Sequence, residues 1–270
     1  MGRATAAKGG AVLLCLGLTL GGGAARARDF CPDRPGVGTT PCTIEKGRVA
    51  VELSLADRTW DRQPDTVIDT VVAGDLALRA GVSDHLELRF AWTPYGRSRE
   101  EDRMTGEVER TRGIGDVMLG FKRNLIDPDG GALSVALLGS VSLPTGGGAV
   151  GAGDWGASLS LPFSMPIGPG LSLGITPEID AAVDADRHGR HAAYGAMGGV
   201  TVEATDALGL TFELGAMRNE EPEETVTELL ASLSAGLMLG EDTQIDVATE
   251  IALNRNVPDN RFYIGIARRF

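Results

Sequence analysis

The sequence predicts an all-β chain: a closed antiparallel transmembrane β-barrel of about twelve strands, running as an up-and-down meander. Three observations predict it. Apolar and polar residues alternate with a period of two in one segment after another, as in strands that face two different environments. The connections between those segments alternate between short and longer, as a barrel with tight turns at one rim and loops at the other requires. The chain also ends on Phe270, with Phe262, Ile264 and Ile266 at alternate positions before it.

At the other end, Arg3 and Lys8 precede an apolar run from Ala11 to Leu20, and a small-x-small site, Ala25-Arg26-Ala27, follows. This reads as a secretory signal, residues 1–27, cleaved after Ala27. The run is well short of the roughly 20 residues a helix needs to span a membrane. Leu13-Leu14 before Cys15 do not fit a lipoprotein signal, so Cys15 is expected to leave with the leader. Export carries Cys31 and Cys42 into an oxidising compartment, in a Pro/Gly-rich stretch, residues 28–46, expected to be a periplasmic arm. A disulfide between them is expected; two free thiols on a mobile arm are the alternative.

Strands follow in order. Val49, Val51, Leu53 and Leu55 alternate with Glu52 and Ser54. Ile68, Val72, Leu76 and Leu78 oppose Asp69, Asp75 and Arg79. Leu86, Leu88, Phe90 and Trp92 oppose Glu87 and Arg89. Val117, Leu119 and Phe121 oppose Asp116 and Lys122. The fifth strand is Leu133 to Leu143, the sixth Ala157 to Met165, and the seventh sets Leu171, Leu173, Ile175 and Ile179 against Ser172, Thr176, Glu178 and Asp180. The eighth and ninth carry Val200 and Val202 against Glu203, and Leu210, Phe212 and Leu214 against Glu213. The tenth runs from Leu229 to Leu239. The eleventh sets Ile245, Val247 and Ile251 against Asp246 and Glu250, and the twelfth is Phe262 to Phe270.

Turns are expected at 81–84, 127–131, 167–170, 206–207 and 240–242, and longer loops at 57–66, 96–112, 144–154, 184–193, 219–225 and 254–261. An even strand number with both ends on the turn side is the arrangement of outer-membrane barrels, so residues 47–270 are expected in that membrane with both termini periplasmic. A soluble barrel or sandwich is the rival, but longer, charged loops at every second connection are unusual there. No later apolar run suits a helical span. Phe262, Ile264, Ile266 and Phe270 resemble the terminal signal that the barrel-assembly machinery reads, from which Arg268 departs.

Gly113-Ile114-Gly115-Asp116 opening a strand, Leu143-Pro144-Thr145-Gly146 closing the next, and Asp154-Trp155-Gly156 opening the one after resemble the bacterial outer-membrane proteins grouped as the MetA pathway of phenol degradation family. The similarity of layout covers most of the mature chain. The resemblance implies a monomeric barrel for uptake or export of small compounds, aromatic ones among them, and it carries no catalytic residues.

The parity of the strands sends Glu52, Asp69, Asp75, Glu87, Asp116, Glu178, Asp180, Glu203, Glu213, Glu228, Asp246 and Glu250 to the inner face, with Arg48, Arg58, Arg79, Arg89 and Lys122 among them. Acids predominate. One reading is a lumen that prefers cations or polar solutes; the other is an ion-pair network that plugs the barrel and passes nothing. Loss of Arg3, Lys8 and Arg26 takes the 25 basic residues to 22 against 37 acids, a net −15 that argues against a nucleic-acid partner. The expected partners are membrane lipid, the assembly machinery and a small solute. His188-x-x-His191 lacks the further ligands of a zinc site and reads as surface histidines. No serine–histidine arrangement suggests an enzyme, no cofactor is called for, and Trp60, Trp92, Tyr95, Trp155 and Tyr263 read as interface anchors.

Overall fold

The computed structural model describes residues 28–270; the leader reading of residues 1–27 lies outside the described residues. Sixteen strand segments form one antiparallel sheet with no helix among the described residues. They are β1 (Val49–Arg62), β2 (Thr66–Ala73), β3 (Asp75–Ser83), β4 (Leu86–Trp92), β5 (Tyr95–Asp102), β6 (Val108–Gly113), β7 (Val117–Ile126), β8 (Ser134–Leu143), β9 (Gly156–Ser160), β10 (Phe163–Gly168), β11 (Leu171–Val183), β12 (Arg190–Glu203), β13 (Leu208–Glu220), β14 (Thr225–Met238), β15 (Thr243–Ala252) and β16 (Asn260–Arg269).

Four staves are each split in two, so the sixteen segments make twelve staves. β2 and β3 both pair with β1 on either side of Gly74, whose φ of 75° no β-branched residue would adopt. β4 and β5 part at Thr93-Pro94, and β9 and β10 at Leu161-Pro162, where proline has no N–H to give the ladder. β6 and β7 part around Gly115. The barrel closes where β16 pairs with β1, from Ala50 opposite Arg269 to Trp60 opposite Asn260.

Polarity is inside out. Arg79, Lys122 and Glu87 are fully buried, while Leu233, Phe262 and Leu253 are each more than half exposed. A water-soluble barrel would reverse this; an outward apolar band is what hydrocarbon selects. Leu214, at the middle of β13 and 50% exposed, is therefore expected to face lipid. Leu214→Arg should cost about 2–4 kcal/mol of folding stability in liposomes, measured by urea titration. The inward Thr211→Arg change would not carry this lipid penalty.

The connections differ from expectation in length. Most of residues 57–66 and 96–112 are strand, and only 63–65 and 103–107 turn. β5 and β6 continue the ladder beyond β2, with Asp69 opposite Arg99 and Arg99 opposite Arg110, and neither has an apolar face. A strand that has left the bilayer needs hydrogen bonds but no apolar band, so its period-two signal fades while the strand persists. The longest loop is 144–155. The connection over 127–133 at the opposite rim is no shorter than several loops, and it is built on Asp127, whose carboxylate accepts the Asp129 and Ala132 N–H groups at 3.3 and 2.9 Å.

Candidate functional site

Residues 28–46 do not project from the rim as an arm. They fold into the lumen and cross it, with Cys31 bonded to Cys42 and the two Cα atoms 6.4 Å apart. No strand ladder holds them; charged side chains of the wall do. At the near wall, the Arg79 guanidinium donates to Glu87 at 2.9 and 3.0 Å, to Glu52 at 2.9 Å and to the carbonyls of Cys31 and Cys42 at 2.9 and 3.3 Å. Lys122 donates to Asp33 at 2.6 Å, Arg89 pairs with the same carboxylate, and Glu87 accepts the Ile44 N–H at 2.8 Å. Asn124 donates to the Pro41 carbonyl at 3.0 Å.

Arg79, Arg89 and Lys122 thus meet Glu52 and Glu87 from the wall and Asp33 from the crossing segment. Without Asp33 this part of the wall would hold one positive charge in excess. Buried ions are tolerable only when paired and fully hydrogen-bonded, and the segment supplies the missing anion and two carbonyl acceptors. Burial pushes the Asp33 carboxyl up, but Arg79, Arg89 and Lys122 together outweigh this and hold it well below the usual carboxylate range. A depressed folded value gives stability that is complete above the unfolded value of about 3.9 and is lost as pH falls towards the folded one. The crossing segment should therefore stay seated from pH 7 to about 5 and loosen only below about pH 4, read as a conductance that is flat and then rises.

At the far wall, Glu213 accepts the Val37 and Gly38 N–H groups, each at 2.9 Å. Arg34 pairs with Asp246 at 2.9 Å, Gln244 donates to the Arg34 carbonyl at 2.8 Å, and the Gly36 N–H donates to the Tyr263 hydroxyl at 2.9 Å. The Thr39 N–H reaches Thr176 at 3.2 Å. The start of the segment is tied to β16, where Arg269 donates to the Arg28 carbonyl at 2.6 Å and to Glu45 at 2.8 Å.

The segment does not fill the section. Beside it lies a cavity of about 560 Å³, bounded by Gly38, Thr40, Thr176, Met197 and Glu213 and opening near Glu203 at the turn rim. A second cavity, about 770 Å³, lies at the loop rim around Asp184, His191 and Glu228.

Of the residues assigned to the inner face, Glu52, Asp75, Arg79, Glu87, Arg89, Lys122, Glu178, Asp180, Glu213, Glu228, Asp246 and Glu250 share that face by register. Glu203 closes β12 on the same parity but stands exposed at the cavity mouth. Three assignments are corrected: Asp69, Arg58 and Asp116. Asp69 lies on the outer face with Arg58, which it pairs at 2.8 Å, because the irregularity between Ser54 and Ala56 inverts the parity of the rest of β1. Asp116 sits in the break before β7 and fastens the long loop, accepting the Gly146 and Ala152 N–H groups at 2.7 Å each.

Phe262, Ile264, Ile266 and Phe270 lie on the outer face of β16 or at its end, and Arg268 stacks over Phe270 at 5.1 Å. Tyr263 is not an interface anchor: it is 4% exposed and inside. Its parity, opposite to Phe262 and Ile264, carried that signal. Asp57, bound to Arg261 at 3.0 Å, escaped notice because the same irregularity disguises it as loop.

The family model described as "Putative MetA-pathway of phenol degradation" matches residues 32–270. Among solved structures the chain is similar to an outer-membrane channel from Pseudomonas putida F1, at 15% identity over 92% of this chain and 100% of that one, with a TM-score of 0.65. It is also similar to the translocator domain of the autotransporter NalP from Neisseria meningitidis, at 14% identity over 83% and 88% of the two chains and a TM-score of 0.54. The NanC porin aligns at 9% identity over 82% and 98%, with a TM-score of 0.50. At these identities the likeness is one of fold. No curated protein matches the chain.

Proposed function

The chain belongs to the MetA-pathway of phenol degradation family, and from that premise we propose that it is an outer-membrane channel for small solutes, narrowed by its own N-terminal segment. One observation carries the reading: residues 28–46 cross the lumen, yet a cavity of about 560 Å³ remains between them and the wall of β10 to β13. A space of that size accommodates a single-ring molecule, consistent with the phenolic compounds in the family's description. The turn rim, with the entry of the crossing segment and Phe270, faces the periplasm in this reading, and the loops face outward.

Selectivity follows from charge. The bases near the crossing segment are neutralised by their partners, whereas Glu178, Asp180, Glu228 and Glu203 remain along the lumen, and acids lining a narrow pore favour cations and neutral polar solutes over anions. Planar-bilayer recording of the refolded full chain tests this. Small, cation-preferring steps are expected; an absence of steps above the empty bilayer, with and without residues 28–46, would instead establish a plugged, non-conducting barrel.

A further inference from the structure

Three side chains meet at the loop rim from separate stretches of chain. The β11–β12 hairpin pairs Ala182 with His191, which brings Asp184 beside the imidazole. The β12–β13 ladder pairs Ala193 with Asn219, so that Glu221, two residues on, reaches the level of His191. One oxygen each from Asp184 and Glu221 and one nitrogen of His191 lie within 4.8 Å of one another.

The imidazole orientation is specific. Its Nε2 is 3.4 Å from Asn219 Oδ1, which holds the ring with its other nitrogen towards the two carboxylates. Nδ1 faces Asp184 Oδ1 at 2.9 Å and Glu221 Oε2 at 3.7 Å. A ring nitrogen facing two carboxylates needs a positive centre between them, supplied either by a proton on Nδ1 or by a cation that displaces it. A histidine whose other nitrogen is held by a neighbouring oxygen is the usual arrangement of a metal ligand and its outer support. Bonds of about 2.1 Å in a tetrahedral site put donors ~3.4 Å apart, and the two observed separations bracket that value. The His191 side chain is 4% exposed, which fixes the donor in place.

The surroundings point the same way. The adjoining cavity of about 770 Å³ is lined by Asp186, Glu223, Glu224 and Glu228 in addition to the three donors, with no lysine or arginine in its lining. Such a basin concentrates cations. We propose that Asp184, His191 and Glu221 bind one divalent transition cation of the zinc class, with water at the fourth position, and that the ion pins the 184–189 and 221–224 connections together across the mouth. The imidazole selects against calcium and magnesium, which take oxygen donors. The site does not depend on whether the barrel conducts.

Calorimetric titration of the refolded, chelator-treated full chain with Zn²⁺ tests the assignment. One ion per chain is expected, with Ca²⁺ weaker by at least about tenfold. His191→Gln and Glu221→Gln should each weaken Zn²⁺ binding by about tenfold or more, and Glu203→Gln, at the opposite rim, should leave it unchanged. No saturable Zn²⁺ binding, or equal affinity in His191→Gln, would overturn the site. If either variant fails to fold, as judged by heat-modifiable migration, the unmodified chain decides: Zn²⁺ must shift the His191 ring resonances in the NMR spectrum of the refolded full chain, and an unshifted His191 contradicts the proposal.

Discussion

Removing residues 28–46 should raise the single-channel conductance of the refolded barrel several-fold above that of the full chain. The segment is held from several sides of the lumen, by Arg79, Lys122 and Glu87 on β3, β7 and β4, by Glu213 on β13 across from them, and by Asp246 and Tyr263 on β15 and β16. Ions in the full chain must pass through what it leaves beside β10 to β13. Deletion withdraws Asp33 from Arg79, Arg89 and Lys122 and Arg34 from Asp246, and the three bases of residues 28–46 balance its three acids, so cation preference should persist as conductance rises. The wall itself closes through β16 and β1 without using these residues. Folding of the shortened chain is checked by its heat-modifiable band; a folded barrel with unchanged conductance would contradict the account.

Arg79→Ala should be the most damaging single substitution in the lumen. The guanidinium is fully buried and serves Glu87, Glu52 and two carbonyls of the crossing segment at once. Its loss leaves Glu52, 2% exposed, without a basic partner, and Glu87, fully buried, with only the longer contacts to Arg89 and Lys122 at 3.4 and 3.8 Å. Breaking a buried pair from one side costs about 3–5 kcal/mol, and here the same change also unseats the disulfide loop. Urea unfolding from liposomes should show that loss together with raised conductance. Arg58→Ala, on the outer face in a solvent-exposed pair with Asp69, should change neither. Similar outcomes for the two variants would refute a special role for the Arg79 cluster.

The wall was legible because hydrocarbon and lumen impose opposite polarity on alternate residues, so Leu210, Phe212 and Leu214 against Glu213 read directly as a stave. Legibility stopped where that contrast stops. The end of β1, β5 and β6 continue beyond the apolar band, so their charged residues read as loop. The irregularity after Ser54 and the bend at Gly74 invert parity without changing composition, which misplaced Asp69. The crossing segment was hidden for a different reason. Its Val37 and Gly38 N–H groups are satisfied by the Glu213 carboxylate rather than by a neighbouring strand, and a loop held by side chains leaves no periodic trace. The mixture of bases with acids on the inner face did announce an ion-pair network; that a partner such as Asp33 comes from the N-terminal segment was not readable from it.

The width and charge of the pore both depend on residues 28–46 lying inside the barrel. Hydrogen–deuterium exchange of the refolded full chain, followed by mass spectrometry of peptides covering residues 28–46, tests this without altering the chain. Protection comparable to that of the wall strands is expected, with Glu213→Gln selectively loosening the peptide that contains Val37 and Gly38. Complete exchange of residues 28–46 within seconds, while the wall remains protected, would place the segment outside the lumen and contradict the account.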